Sequence, residues 1–358
     1  MTRTPRSLPL APRDHAESLY DHTPSGWFVL AASEELRPGK VLNKRLAGRD
    51  VVLWRSEAGV AHAVDPYCPH MGAHLGHGGR VCGETIECPF HAFRFSSEGK
   101  CVATGYGTPP PPRARLGTWH VHETHGLVLV WHGAAGEEPS FRVPDIDTEG
   151  WEGPRWSQWE MRGHPQETTE NSVDSGHLSV VHGYRDITTK RELRLEGPHL
   201  SVEYTMNRPA IPGRPELGLI AAEFFIHVWG LGYSRVEVSA PRFGLRSRHL
   251  VFATPIDRER LHMRIGFAHQ RYDTRFVPRA VVSAVNRAIG ELAIRTFRHD
   301  VMQDFDIWNY KTYVHPPQLA VGDGPIGAYR RWCKQFYPQL GGSGVRTPDT
   351  ESASDAAE

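Results

Sequence analysis

Four metal-ligating side chains fall in two short stretches, Cys68-Pro69-His70 and Cys88-Pro89-Phe90-His91, with seventeen residues between them. Each stretch offers one sulfur and one nitrogen. Two thiolates and two imidazoles suit a 2Fe-2S cluster in which two His replace two Cys on one iron. The same set also satisfies a structural zinc tetrahedron. Three features favour the cluster. The C-x-H spacing is tighter than that of zinc knuckles. Cys and His alternate between the stretches instead of segregating, and a proline follows each cysteine, fixing φ and removing a backbone donor. A glycine-rich stretch from 72 to 79 lets the chain fold closely around a bulky group.

A second set lies in Glu170-Asn171-Ser172-Val173-Asp174-Ser175-Gly176-His177-Leu178-Ser179-Val180-Val181-His182-Gly183. With 21 His in the chain, two His five apart carry little weight alone. His120 and His125 form another such pair inside the alternation from Trp119 to Trp131, where solvated strand histidines are the better reading. On a helix, Asp174 and His177 sit about 60° apart, but His177 and His182 are about 140° apart. The helix must therefore end between the two His, with Gly183 placed to help. Two imidazoles and one carboxylate form the facial triad of non-haem Fe(II) sites, which leaves positions open for O2 and substrate. Asp304 is the strongest third donor. Asp300, one turn earlier, is the runner-up, and Asp306 reads as a solvated charge.

Cys68-Pro69-His70-Met71-Gly72-Ala73-His74-Leu75-Gly76, followed by Cys88-Pro89-Phe90-His91-Ala92-Phe93-Arg94-Phe95, resembles the cluster-binding segment of the Rieske non-haem iron oxygenases. Many members carry Gly-Trp where this chain has Ala92-Phe93. The family's Asn-x-x-Asp-x-x-His-x4-His segment is met by Asn171, Asp174, His177 and His182, and its late Asp-x-x-Ile-Trp segment by Asp304, Ile307 and Trp308. The resemblance spans residues 26 to 340. It implies that His177, His182 and Asp304 bind iron. It also implies that Asp174 bridges to the cluster-ligating His of a neighbouring subunit, which corresponds to His91, within a homotrimer. Electrons would come from NAD(P)H through a separate reductase or ferredoxin.

Within that family, the segment from Asp304 to Lys311, Arg330-Arg331-Trp332 and Gln335-Phe336-Tyr337 look most like the branch holding 3-ketosteroid 9α-hydroxylase oxygenases and cholesterol 7-desaturases. The substrate this implies is a bulky, possibly steroid-like hydrophobe that is hydroxylated or desaturated. Oxidative tailoring or cyclisation of another natural-product skeleton is the alternative. A Rieske electron-transfer protein without oxygenase activity is the alternative of another class, and it would need only the first 140 residues.

The elements that must position these groups can be outlined from composition. At 358 residues the chain suits two domains. Its 41 basic and 41 acidic residues cancel, so the whole-chain field attracts neither nucleic acid nor anionic membranes. No stretch reaches the run of about twenty apolar residues a membrane span needs, and Met1 to Asp14 lacks the apolar core of a secretory signal. With Cys68 and Cys88 as ligands, Cys82, Cys101 and Cys333 suggest no disulfide framework, which fits a reducing cytoplasm.

The expected fold is α+β, with an antiparallel-β Rieske domain over 26–135 and a catalytic domain over 140–340 whose antiparallel sheet is packed by helices in a helix-grip arrangement. A flexible arm over 1–25 and a disordered tail over 341–358 flank them. The prolines from Thr108 to Arg113 read as an exposed connector, and Gly133 to Pro139 as a linker. The run from Gly218 to Gly232 reads as a strand pair, with Phe224 and Phe225 equally suited to a pocket or to sheet core. Val282, Val285, Ile289, Leu292, Phe297, Val301, Phe305 and Trp308 recur every three or four positions, so Val281 to Trp308 reads as one helix with a buried stripe. Gly322 to Gly327 matches G-x-G-x-x-G, but too little chain follows for a dinucleotide-binding βαβ unit; a turn into a helix around Tyr329 to Phe336 is expected instead.

Overall fold

The computed structural model describes residues 21–134, 136–210, 214–274 and 276–338. Most of the expected arm, residues 1–20, and the whole tail over 341–358 lie outside the described residues.

The first half is built from short strands: β1 (Gly26–Ala32), β2 (Val41–Leu46), β3 (Arg49–Arg55), β4 (Ala61–Val64), β5 (Arg80–Cys82), β6 (Thr85–Glu87), β7 (Arg94–Ser96), β8 (Cys101–Ala103), β9 (Thr118–Trp119), β10 (Val121–Thr124) and β11 (Leu127–His132). They form antiparallel sheets in the orders β1-β11-β10, β2-β3-β4-β9 and β5-β6-β7-β8. Cys68 lies in the loop after β4, and Cys88 in the loop between β6 and β7. Beneath both, Trp54, Leu75, Ile86 and Phe95 form a sealed apolar floor.

The second half is one seven-stranded antiparallel sheet. It consists of β12 (Trp151–Arg162), β13 (Arg185–Glu196), β14 (His199–Pro209), β15 (Leu219–Trp229), β16 (Tyr233–Ala240), β17 (Leu245–Pro255) and β18 (Arg260–Gln270), in the order β12-β18-β17-β16-β15-β14-β13. Helices α1 (Pro165–Glu170), α2 (Ser175–Val180), α3 (Arg279–Gln303), α4 (Phe305–Tyr310) and α5 (Ile326–Cys333) complete it. Ile294, Phe297 and Val301 of α3 pack on Leu261, Met263 and Ile265 of β18. Tyr329 and Trp332 of α5 cover Leu200, Val202 and Val228 on β14 and β15.

Alternation along the strands lets the sheet serve both halves. Leu250 and Phe252 of β17, with Trp229 and Tyr233, face Trp27, Val29, Leu129 and Trp131 of β1 and β11. The intervening β1 residues Phe28 and Leu30 turn into the other core of the first half. Across the same junction, the fully buried Arg264 donates to Glu35 at 2.8 Å. There too, His125 sits in the β10–β11 turn, bonded through Nδ1 to the Tyr233 hydroxyl at 2.8 Å and accepting the Ile146 N–H on Nε2. It is a junction residue and not a solvated strand histidine.

Two further expectations are corrected. The run from Gly218 to Gly232 is a single strand, β15, followed by a tight turn into β16. The helical stripe is rotated: Val282, Phe297 and Val301 are buried, whereas Val285, Ile289 and Leu292 are exposed, because Asn286, Gly290 and Ile294 face the sheet instead. Asn286 belongs inside because its side chain ties α3 to the Tyr272 backbone in both directions, which counting apolar residues does not register.

Candidate metal centres and cavity

The two cysteine loops repeat one backbone design. The Cys68 N–H donates to the Ala73 carbonyl and the Cys68 carbonyl accepts from the Gly72 N–H; the Cys88 N–H donates to Phe93 and the Cys88 carbonyl accepts from Ala92. Both turns need a left-handed residue at the same step, supplied by Gly72 at φ 77° and by Ala92 at φ 53°. An alanine there carries a strain of about 1 kcal/mol that glycine does not.

The side chains converge. The His70 ring stacks on Phe93 with centroids 4.3 Å apart and lies 4.8 Å from the His91 ring. Cys68 and Cys88 are both buried. His91 Nδ1 is buried and bonds no protein atom. Burial, with the neighbouring Cys88, pushes the Cys68 thiol up to about 11. A buried imidazole nitrogen with no partner beside two buried sulfurs is a donor set short of an acceptor, and a cluster with two His on one iron fits it.

The second set is assembled differently. Asp174 caps α2, its carboxylate accepting the His177 N–H at 3.2 Å. The helix ends at Val180, and Gly183 then takes φ 67°, so His182 approaches from beyond the helix end. Asp304 sits between α3 and α4 and is 6% exposed, so the long helix breaks at this residue. One ligand atom each from His177, His182 and Asp304 lies within 4.8 Å of the others.

Each imidazole is oriented by its other nitrogen. His177 Nδ1 donates to the Asp174 carbonyl at 2.5 Å, and His182 Nδ1 donates to Gln303 Oε1 at 2.8 Å. Both Nε2 atoms stay available, and that of His182 lies 3.5 Å from Asp304 Oδ2. Burial opposes a charge on His182, yet Asp304, Gln303 and Asp300 together hold its pKa above the ordinary value. Gln303 was not singled out in the sequence; its one signal is adjacency to Asp304.

Asp300 is not part of this group. It pairs with Arg208 at 3.5 Å and interacts with the Tyr184 hydroxyl, while burial raises its pKa. Asp306 is exposed on α4. The rejected glycine-rich loop has a structural use: Gly324, at φ 75°, presses on the Val173 carbonyl, where a Cβ would approach to 2.3 Å, and so braces the turn before Asp174.

The three ligands stand in the wall of a cavity of about 940 Å³, its open mouth included. Asn171, Phe224, Ile226, Val236, Phe297 and Trp308 contribute to the lining. Phe225 points to the other face of the sheet, against Arg191. A concave, mainly apolar site with a few polar groups beside a metal-ligand set is what binding and turnover of a hydrophobic small molecule require.

Comparison with known proteins agrees. Residues 26–114 match the Rieske [2Fe-2S] domain, and residues 130–337 match the 3-ketosteroid 9α-hydroxylase C-terminal domain. The chain belongs to the Rieske oxygenases of the 3-ketosteroid 9α-hydroxylase family. It is 32% identical over 337 residues to a cholesterol 7-desaturase of Hemicentrotus pulcherrimus, covering 88% of this chain and 70% of that protein. It is 27% identical over 329 residues to the oxygenase component of a 3-ketosteroid-9-alpha-monooxygenase of Rhodococcus rhodochrous, covering 88% and 84%. Dicamba monooxygenase bound to dicamba shares the fold at TM-score 0.64 and 20% identity, covering 88% of this chain and 97% of that one. Like these relatives, this Rieske oxygenase is an enzyme. No helix among its described residues is long and apolar enough to cross a membrane.

Proposed function

We propose that this protein is a terminal oxygenase that hydroxylates or desaturates a bulky, steroid-like hydrophobe. In this reading Cys68, His70, Cys88 and His91 hold the 2Fe-2S cluster within a domain over 26–135. His177, His182 and Asp304 hold a mononuclear Fe(II) within a domain over 140–340. The observation that carries it is the convergence of those three ligand atoms in the wall of a mainly apolar cavity. When bound, the cluster supplies electrons one at a time and the iron supplies O2 activation.

The chain's own residues do the rest. Asp174 and Gln303 engage both imidazoles through Nδ1, which leaves each Nε2 free to hold an ion. Trp308, Phe297 and Phe224 exclude water and hold the substrate's apolar body. Asp174, partly exposed and kept below the usual carboxylate range because its bonds with His177 outweigh burial, is suited to accept a hydrogen bond from His91 of the partner subunit. Asn171 stands in the cavity wall. The exposed apolar rim of the cluster loops, Tyr67, Met71, Phe90 and Tyr106, supports docking against a neighbour in a homotrimer. Electrons then come from NAD(P)H through a separate reductase or ferredoxin in the cytoplasm.

Iron and acid-labile sulfide counts test this reading. About three iron and two sulfide per chain are expected, against two iron for an electron carrier and neither for a zinc module. O2 uptake with a reductase present, dependent on an added sterol or ketosteroid, tests the substrate class. Uptake driven only by unrelated polyketide-like skeletons would move the reading to natural-product tailoring.

A further inference from the structure

Two polar side chains, Ser234 and His249, interrupt the otherwise apolar sheet wall of the cavity, and His249 is the one that carries an imidazole. His249, on β17, lines the cavity with Val251 and Ala253 of the same strand face. Its sheet neighbours Val236 and Ile226 are apolar, and its ring packs against Phe297 at 4.4 Å between centroids and edge-on against Phe224 at 6.3 Å. Nothing about sheet packing calls for an imidazole here.

The position of His249 along the cavity follows from α3. Phe297 precedes Asp304 by seven residues, so His249 stands about 10 Å along the helix axis from the metal end. The imidazole is half satisfied. Nε2 lies 3.3 Å from Ser247 Oγ, whereas Nδ1 bonds no protein atom among the described residues and keeps some exposure. Burial, with Arg208 nearby, pushes its pKa down to about 3, so the ring is neutral. Because the Ser247 hydroxyl can donate or accept, either tautomer is allowed, and Nδ1 can accept from a hydroxyl or donate to a carbonyl. Among the described residues the cavity lining holds no Arg or Lys, and nearby Arg208 is paired with Asp300, so a carboxylate substrate finds no free cation here.

We infer that His249 determines specificity by hydrogen-bonding one neutral oxygen function of the substrate, a hydroxyl or a ketone, at the end of the molecule remote from the carbon presented to the metal. The inference rests on the proposed substrate class and sharpens it to polycyclic compounds oxygenated at one end. With the remote oxygen held at Nδ1, the carbon that reaches the metal is set by the length of the ring system between them.

Anaerobic binding tests this, read from the change in tryptophan fluorescence on titration, to which Trp308 in the cavity wall contributes. Steroids bearing a 3-hydroxyl or a 3-ketone are paired with their 3-deoxy hydrocarbons. Wild type is expected to bind the oxygenated member at least about tenfold tighter, because an unpaired buried nitrogen penalises the analogue that lacks its partner. His249→Phe should weaken the oxygenated member about tenfold and leave the hydrocarbon within about twofold, and His249→Asn should recover part of the loss. A His249→Phe protein that keeps the wild-type preference overturns the role. Wild type binding both members equally leaves the substrate class standing and removes the role, whereas binding neither removes both. Should a variant not fold, the wild-type pair comparison alone decides.

Discussion

The loops around Cys68 and Cys88 are near copies, with the same two backbone hydrogen bonds and the same left-handed step, and all four donors lie within 24 residues. His177, His182 and Asp304 share no such design. One sits in a short helix, one beyond its end, and one at a break 122 residues after His182. The first site is shaped by its own turns. The second exists only when α2, α3 and the sheet are packed. Perturbations of local backbone should therefore touch the first site, and perturbations of packing and orientation the second.

The largest expected effect tests whether the two sites are separable. Asp304→Ala should lower iron from about three to about two per chain, abolish turnover, and leave the Rieske electron-spin signal intact. Loss of that signal in the same variant would show that the sites form one unit. Gln303→Leu removes the acceptor that orients His182, and iron affinity should fall about 10- to 100-fold in competition with a chelator. Asp174→Asn should leave both metals bound while steady-state turnover collapses. Normal single-turnover rates in that variant would sink the bridging role.

A smaller effect concerns the junction between the regions. Arg264, the Ala32 N–H and Lys44 hold Glu35 below its ordinary value of 4.5 despite its burial. A depressed folded-state pKa means that its stabilisation is fully present above about 4.5 and is lost as pH falls through the folded value. Glu35→Gln should cost about 2 kcal/mol at pH 7 by chemical denaturation, and the difference from wild type should shrink in acid. Smallest of all, Ala92→Gly should stabilise the protein by about 0.5–1 kcal/mol, whereas Gly72→Ala should cost about 1 kcal/mol or more. Equal and opposite shifts of the cluster's reduction potential in this pair would mean that the turns tune it as well as shape it.

The same contrast explains what could be read from the chain. The C-P-H and C-P-F-H stretches announce themselves because ligand geometry there depends on a few neighbouring residues. That His177 and His182 require a helix end follows from angles alone. Choosing Asp304 over Asp300 does not, since both lie on one side of the same helix; the Asp-x-x-Ile-Trp resemblance favours Asp304, and in the structure Asp304 joins the two His while Asp300 is held by Arg208 and Tyr184. The buried face of α3 departs from the apolar stripe because Asn286 and Gly290 occupy it for reasons of hydrogen bonding and close approach. His249 and the junction role of His125 are invisible locally, and Gln303 shows only its adjacency to Asp304, because each is defined by a partner far away in sequence.

All seven residues of β1 are buried, with Trp27 and Val29 in one core, Phe28 and Leu30 in another, and Thr254 donating to the Val29 carbonyl. A strand held on both sides cannot leave one core without opening the other. Heating should therefore melt the cluster region and the helix-bearing sheet in one calorimetric transition, with the visible absorbance of the cluster bleaching at the same temperature. A fragment ending at residue 140 would expose Trp27, Val29, Leu129 and Trp131 and aggregate rather than serve as an isolated electron carrier.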